Sequence, residues 1–169
     1  MRLRKRGKQK QNDLMTSKEL MRRAIWISKE SVRNGGGPFG AVIARNGEII
    51  AEGSNSVTLE CDPTAHAEVS TIRKACKALK VFDLSGCEIY TSCEPCPMCL
   101  GAIYWARLDK IYMGNDRKDA AQAGFDDDFI YNEIALKPEN RQKPSEILLR
   151  DEALEAFRMW DGKGDKVKY

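Results

Sequence analysis

The chain has 169 residues, of which 42% are hydrophobic and 31% are charged, and this is the size and composition of one globular domain with a sizeable core. No apolar run approaches the roughly 18 residues that a membrane-spanning helix needs, and no apolar segment follows the basic N-terminus as a secretory signal requires. We therefore expect a cytoplasmic protein with no membrane partner, whose six cysteines stay reduced.

The N-terminal segment is strongly basic, and we predict that residues 1–14 form a disordered extension outside the catalytic domain. Six of the first ten residues are basic and none is acidic. Taking these six charges from the net charge of +3 leaves about −3 for the rest of the chain. An acidic body does not favour binding of a large nucleic acid, which usually requires a basic face.

The first predicted elements are a helix and a β-hairpin. Thr16-Ser17-Lys18-Glu19 is a capping box, after which apolar positions recur at helical spacing until residues 34–38 (NGGGP) end the helix. The segments 39–44 and 48–53 flank Asn46-Gly47, which is a strong signal for a two-residue hairpin turn.

The later elements alternate between helices and strands. They are predicted as a helix at 62–79, a strand at 87–92, a helix at 96–106, a strand at 110–114, a loop at 124–128, and helices at 129–136 and 151–160 joined by a polar connector. Strands that alternate with helices predict an α/β sheet covered on both faces.

The strongest chemical signal is a histidine and a glutamate followed thirty residues later by two cysteines. His66 is the only histidine and stands two residues before Glu68, and Cys96 and Cys99 follow Pro95 and lie one helical turn apart. A helix N-terminus favours the thiolate form of cysteine that binds metal. The pattern H-x-E with P-C-x-x-C is typical of zinc-dependent nucleobase deaminases, in which the glutamate is not a ligand. It predicts catalytic zinc on His66, Cys96 and Cys99, with Glu68 moving protons.

A further cysteine leaves other metal sites open. Cys93 precedes Cys96 by three residues, so the spacing also fits a closed structural zinc site formed by three cysteines and His66. An iron–sulfur site would need a fourth cysteine soon after Cys99, but position 103 is isoleucine. The catalytic interpretation is favoured because a closed site would leave Glu68 without a role.

Four segments, at residues 37–43, 62–68, 91–107 and 123–127, resemble the bacterial guanine deaminases of the cytidine deaminase-like superfamily. The similarity runs from about residue 15 to the last residue of the chain. The H-A-E and P-C-P-M-C motifs are shared with tRNA adenosine deaminases and cytosine deaminases. The A-G-F-D-D segment and the terminal aromatic residue are more specific to the guanine branch.

The resemblance implies a three-layer α/β/α cytidine deaminase-like domain over residues 15–169, with a central mixed five-stranded sheet. It implies hydrolysis of guanine to xanthine and ammonia in purine catabolism, with one Zn²⁺ per chain on His66, Cys96 and Cys99 and Glu68 as proton shuttle. It also implies a homodimer in which a C-terminal segment, about 150–169, swaps between subunits.

For substrate binding, the resemblance implies that Asp127 assists proton movement or binds the guanine edge, and that Asn55 holds the purine. Only the resemblance singles out Asp127, because an aspartate stands on each side of it. Phe39 would offer a stacking face, although core packing would explain it as well. Tyr169 would close the pocket of its own chain or of its partner.

Two other functions remain open at this point. A tRNA adenosine deaminase would use the same metal on a base flipped out of an RNA loop. The basic residues 1–10 favour it, whereas the acidic body and the A-G-F-D-D segment oppose it. A zinc-stabilised binding module without catalysis is opposed by Glu68, which would have nothing to do.

Overall fold

The computed structural model describes residues 14–125 and 127–169, so the predicted N-terminal extension lies outside the described residues except for its last position. The helices are α1 (Ser17–Arg33), α2 (Val57–Glu60), α3 (Ala67–Leu79), α4 (Pro97–Trp105), α5 (Arg117–Gln122), α6 (Asp128–Ala135) and α7 (Arg150–Gly162). The strands are β1 (Gly40–Arg45), β2 (Glu48–Ser54), β3 (Glu88–Cys93) and β4 (Lys110–Asn115). No helix in these two ranges is long and apolar enough to cross a bilayer.

The strands form one mixed sheet in the order β2-β1-β3-β4. β1 pairs antiparallel with β2 and with β3, and β3 pairs parallel with β4. With helices on both faces, the α/β/α fold class is confirmed. The sheet has four strands among the described residues rather than the five expected, because the chain after β4 enters α5 and α6 and residues 141–149 pair with no strand.

Helix α1 begins where the sequence predicts it, because both halves of the capping box form. Thr16 Oγ1 accepts a hydrogen bond from the backbone N–H of Glu19, and a carboxylate oxygen of Glu19 accepts one from the N–H of Thr16. The buried stripe of α1 packs on one face of the sheet, in a cluster that contains Leu20, Ala24, Ile27, Val42, Ala44 and Tyr90.

Helices α3 and α4 cover the opposite face. Successive side chains of a strand point to opposite sides of the sheet, so Ala41 and Ile43 of β1 face away from the α1 layer. They pack in a second buried cluster with residues of α3, β3 and α4, among them Ala67, Ala75, Ile89 and Ile103. The sheet is therefore the middle layer of three.

The predicted hairpin is confirmed. Asn46 (φ 52°) and Gly47 (φ 80°) both have left-handed backbone angles, as a type I′ turn requires. The carbonyl of Gly47 accepts a hydrogen bond of 2.9 Å from the N–H of Met15, and a Cβ at Gly47 would lie only 2.8 Å from the Met15 carbonyl oxygen. The turn thus also anchors the chain that leads into α1.

The prediction that a helix starts at residue 62 is wrong. The N–H and Oγ1 of Thr64 both donate to Oδ1 of Asp62, at 2.8 and 2.7 Å, which closes a local turn. The aspartate side chain therefore stabilises a turn rather than a helix N-terminus. Helix α3 begins at Ala67, with His66 as its N-cap in an extended conformation.

Two short helices, α2 and α5, are absent from the sequence prediction. Helix α5 has a recognisable signal, because the side chain of Asp116 accepts from the N–H groups of Lys118 and Asp119 and the Asp119 side chain accepts from the N–H of Asp116. The predicted strands and the other helices are present, and apart from the start of α3 their ends are displaced by at most two residues.

The C-terminal helix α7 has no buried residue. Phe157 and Met159 on this helix are 67% and 77% exposed, and Ile147, Leu148 and Leu149 just before it are exposed as well. Because an amphipathic helix normally buries its apolar side chains, this segment lacks a packing surface within the described part of one chain.

Candidate active site

Two helix N-termini bring the three predicted metal ligands together. His66 is the N-cap of α3 and Cys96 is the N-cap of α4, and neither side chain makes a capping hydrogen bond. Cys99 lies in the first turn of α4, after Pro97, whose missing N–H costs nothing there. The ligand atoms of His66, Cys96 and Cys99 all lie within 4.8 Å of one another.

The spacing of these atoms fits a zinc ion. The Sγ atoms of Cys96 and Cys99 each lie 3.5 Å from Nδ1 of His66. A tetrahedral zinc with Zn–S of about 2.3 Å and Zn–N of about 2.0–2.1 Å holds its sulfur and nitrogen ligands about 3.6 Å apart. One nitrogen and two sulfurs are a donor set that zinc prefers, and three protein ligands leave the fourth position open, as catalytic sites require.

The third nearby cysteine does not join this group. The Cys93 thiol donates to the carbonyl oxygen of Asp116 at 3.5 Å, and burial raises its pKa to about 11. Among the described residues, the group of ligand atoms within 4.8 Å of one another contains His66, Cys96 and Cys99 but not Cys93. This geometry disfavours the closed structural zinc site that the spacing alone left open.

Hydrogen bonds among the three candidate ligands shift the pKa values of all three. A hydrogen bond from the Cys99 thiol lowers the pKa of Cys96 to about 4, and the same bond raises the pKa of Cys99. The hydrogen bond with Cys96 raises the pKa of His66. Such strongly perturbed groups mark the position as a candidate functional site.

Glu68 lies beside the metal ligands in the first turn of α3 and is only 5% exposed. Its Oε1 accepts a hydrogen bond of 2.9 Å from Thr91 Oγ1, and its Oε2 lies 3.4 Å from Sγ of Cys99. Burial raises the pKa of Glu68 above that of an exposed carboxyl group, which is the direction that favours uptake of a proton by a general acid/base.

A cavity of about 830 Å³ opens onto this group of residues. Its lining includes the residues that the resemblance implies for substrate binding, apart from the terminal tyrosine: Phe39, Asn55 and Asp127, together with His66, Glu68 and Cys96. The structure thus places the candidate metal site, the candidate acid/base and three candidate binding residues around one space.

Asn55 is held in a fixed orientation at the wall of the cavity. It is 8% exposed, and its Oδ1 accepts a hydrogen bond from the N–H of Val57 at 3.3 Å. A Cβ at Gly37 would lie 3.0 Å from that Oδ1, so glycine leaves room for the amide. The amide nitrogen makes no hydrogen bond within the described residues and can donate to a ligand.

Two phenylalanines form an apolar wall. Phe39 and Phe125 both line the cavity, and their rings meet edge to face with centroids 5.0 Å apart and an interplanar angle of 84°. Phe39 also packs against the core beneath the sheet. The two sequence interpretations of Phe39, core packing and a face for the ligand, are therefore compatible.

Asp127 lines the cavity, and one of its carboxylate oxygens is unpaired among the described residues. It is the N-cap of α6, but its side chain makes no capping hydrogen bond. Oδ1 is buried and has no hydrogen-bond partner among the described residues, and burial raises the pKa of the carboxyl group. Asp126 is outside the described residues, and Asp128 is exposed and pairs with Arg117 at 3.7 Å. Of Asp127 and Asp128, only Asp127 lines the cavity, where it can contact a ligand.

Tyr169 lies outside the main cavity of its own chain. It is 72% exposed, and its ring lies 6.0 Å from that of Trp105, which is 69% exposed. The two residues line a smaller cavity with Gly101, Tyr104 and Arg107. This position is consistent with a role towards a second subunit, which stays a prediction.

Sequence reasoning missed two residues near the site, Thr91 and Arg117. The N–H of Arg117 donates to Glu94 at 3.1 Å, and its guanidinium lies 4.9 Å from the centre of the Tyr131 ring. The Asp116 capping box could have located the helix that carries Arg117. Thr91 stands on a buried strand, where nothing in the sequence distinguishes it from a residue of the core.

Comparison with known proteins identifies the family to which the chain belongs. The family model for the cytidine and deoxycytidylate deaminase zinc-binding region matches residues 15–115. Guanine deaminase of Bacillus subtilis is 51% identical over 156 residues, which are 92% of this chain and 100% of that protein. The X-ray structure of Bacillus subtilis guanine deaminase matches with a TM-score of 0.89 and covers 92% of this chain and 99% of that chain.

A second curated relative matches a shorter stretch. The tRNA-specific adenosine deaminase of Bacillus subtilis is 45% identical over 101 residues, which are 59% of this chain and 63% of that protein. Together with the histidine and cysteine group, the family match identifies zinc as the cofactor, one ion per chain. The chain belongs to the cytidine and deoxycytidylate deaminase family of zinc-binding proteins.

Proposed function

We propose that this protein is a zinc-dependent guanine deaminase, which converts guanine and water to xanthine and ammonia. The observation that carries the proposal is that Asp127 lines the same cavity as His66, Cys96 and Glu68 and has a buried oxygen, Oδ1, with no hydrogen-bond partner among the described residues. A deaminase needs the metal group and Glu68 for any base, whereas an unpaired carboxylate oxygen suits a base that presents N–H donors, as guanine does. The relative with 51% identity over nearly the whole chain supports the same substrate.

The reaction requires a nucleophile at neutral pH and a group that moves protons. Zinc held by His66, Cys96 and Cys99 would lower the pKa of a bound water from about 15.7 to about 7. We assign Glu68 to accept one proton of the attacking water and deliver it to a ring nitrogen. Glu68 would then transfer the remaining proton of the added hydroxyl group to the amine, which leaves as ammonia while the carbonyl of xanthine forms. Its burial and its position beside Cys99 suit this task.

Base recognition is assigned to the other side of the cavity. Asp127 would accept from guanine N–H groups, and the amide nitrogen of Asn55 would donate to a guanine acceptor. The ring of Phe39 would lie against the face of the base. Cytosine and adenine lack the pattern of adjacent N–H donors that a carboxylate would select.

We also propose that the protein is a homodimer with an exchanged C-terminal segment, about 150–169, and that it acts in the cytoplasm. The exposed apolar residues of α7 and of the chain before it need a surface that one described chain lacks. The exposed Tyr169 would then close the cavity of the partner. The six free cysteines suit a reducing compartment.

The substrate is tested by measuring ammonia release from guanine, adenine, cytosine and an adenosine-containing tRNA with zinc-loaded protein. We expect turnover of guanine far above that of the other three. Preferential turnover of the tRNA substrate would instead favour an adenosine deaminase, to which the relative with 45% identity points. Lack of turnover on all four would contradict the proposed enzyme class.

The exchanged segment is tested with mixed dimers. Chains with Glu68→Gln and chains that lack Tyr169 should each be impaired alone. In an exchanged dimer of the two, one site contains both intact residues, so guanine turnover should partly recover. If verified mixed dimers show no recovery, Tyr169 acts within its own subunit and the exchange is not part of the site.

A further inference from the structure

The carboxylate of Glu68 is held by a threonine on the strand beneath it. Thr91 lies on β3 and is 1% exposed. It pairs across the sheet with Ala41, whose side chain belongs to the cluster under α3 and α4. Its hydroxyl is therefore on the side of the sheet that carries the candidate metal site, where it reaches Glu68 Oε1 at 2.9 Å.

This contact gives the two oxygens of Glu68 different surroundings. Oε1 faces the strand and bonds to Thr91, whereas Oε2 lies 3.4 Å from Sγ of Cys99, on the metal side. The carboxylate of a glutamate is carried on three rotatable side-chain bonds, so it needs a partner to keep one oxygen towards the reacting atoms. In the described structure Thr91 is the hydrogen-bond partner of Glu68 that is not itself a candidate metal ligand.

The hydroxyl of Thr91 has a second contact that fixes its own position. Oγ1 lies 2.9 Å from the carbonyl oxygen of Cys93, three residues before the first cysteine ligand. A hydroxyl carries one proton and can also accept hydrogen bonds. It can therefore donate to Glu68 when the carboxylate is charged, or donate to Cys93 and accept from Glu68 when the carboxyl group holds the proton. One side chain thus orients Glu68 on both sides of a proton transfer.

We propose that Thr91 is a positioning residue for Glu68, which it holds with one oxygen towards the metal site throughout the reaction. The proposal rests on the proton-shuttle role assigned to Glu68 in the proposed function. Thr91 itself is neither a candidate metal ligand nor one of the residues that line the cavity, and it reaches the site through Glu68.

The test compares Thr91→Val, which removes the hydroxyl at nearly the same volume, with Thr91→Ser, which keeps it. A hydrogen bond to a charged group is worth an amount that corresponds to about 10- to 150-fold in rate. We expect kcat for guanine to fall by about that factor in Thr91→Val, with KM nearly unchanged and one zinc per chain. Thr91→Ser should recover most of kcat.

Thr71→Val is the matched control. Thr71 is also fully buried, and its hydroxyl donates to the carbonyl of Ala67 on the helix that carries Glu68, but it does not contact Glu68. If loss of any buried hydroxyl disturbed the site, Thr71→Val would lower kcat as much as Thr91→Val. We expect Thr71→Val to keep its kcat and its zinc.

Two further readouts distinguish positioning of Glu68 from a general structural effect, and the first does not depend on turnover. A crystal structure of zinc-loaded Thr91→Val should show Glu68 turned away from the orientation described here, and the structure of Thr91→Ser should show it retained. In a Glu68→Gln background, Thr91→Val should cause no further loss of kcat, because the group that it positions is gone. Should Thr91→Val fail to fold, Thr91→Ala takes its place in both experiments.

The outcomes separate this inference from the proposed function. An unchanged kcat in Thr91→Val, or an equal loss in Thr71→Val, overturns the role of Thr91 and leaves guanine deamination intact. Lack of guanine turnover by the unmodified protein contradicts the proposed substrate. In that case the same variants are compared on the base that is turned over, and the crystal structures still report the orientation of Glu68.

Discussion

Replacing Asp127 by asparagine tests the assignment of guanine most directly. The change keeps the size of the side chain but turns one acceptor oxygen into a donor that would face guanine donors. Oδ1 of Asp127 is buried and has no hydrogen-bond partner among the described residues, so the substitution removes no hydrogen bond of this oxygen within the fold. A buried mismatch of this kind costs about 1–3 kcal/mol, which corresponds to about 5- to 150-fold in kcat/KM.

The same substitution should not destabilise the protein. Burial raises the pKa of Asp127 in the folded state, which means that its charged form is disfavoured there. An acid with a raised pKa in the folded state lowers stability at pH values above its normal pKa, so removal of its charge relieves that cost. We therefore expect the Tm of Asp127→Asn at pH 7 to be unchanged or slightly higher, with zinc content unchanged.

The assay is initial-rate ammonia release from guanine, with zinc measured by atomic spectroscopy on the same samples. Asp128→Asn is the control, because it removes the same charge from the next residue, whose side chain is 61% exposed. We expect Asp128→Asn to keep at least half of the activity. Equal activity of Asp127→Asn and Asp128→Asn, with both zinc-loaded, would refute the proposed contact between Asp127 and guanine.

Three further predictions concern the metal, the proton shuttle and the N-terminus. Glu68→Gln should lower kcat by at least about 10²–10⁴-fold and keep its zinc, and near-normal turnover of the zinc-loaded variant would exclude Glu68 as shuttle. Zinc affinity, measured by competition with a zinc-binding dye, should fall as the pH is lowered, because protons compete for His66, whose pKa is raised by the hydrogen bond with Cys96, and for the thiolates. A chain that begins at Met15 should keep guanine turnover and dimeric mass in light scattering, and a large loss would show that residues 1–14 contribute to the site.

Elements that are set by local chemistry could be predicted from the sequence. The capping box at Thr16 and the turn at Asn46-Gly47 both form, because each depends on a few adjacent residues and on backbone angles that these residues favour. The metal group could also be predicted, since His66, Cys96 and Cys99 belong to a short pattern with a fixed chemical purpose.

Features that depend on distant parts of the chain could not be predicted. Asp62-Pro63-Thr64 has the composition of a helix N-terminus, so the sequence predicts too early a start for α3. In the structure the Asp62 side chain closes a turn with Thr64 instead. The bond between Thr91 and Glu68 joins residues that are 23 positions apart and comes from the packing of α3 on β3. No periodic pattern in either segment predicts this hydrogen bond.

Two aspartates occupy helix N-cap positions, but only one of them caps its helix through its side chain. Asp116 and Asp127 have the same side chain at the same kind of position, and a sequence rule predicts that both cap their helices. Asp116 accepts from two backbone N–H groups of α5, whereas Asp127 makes no capping bond and leaves a buried oxygen free beside the metal group. A capping aspartate typically contributes about 1 kcal/mol to helix stability, and α6 lacks this contribution from the Asp127 side chain. Departure from a local rule at a residue that lines the cavity favours a binding role, because an oxygen with no partner in the fold keeps all of its lone pairs for a substrate.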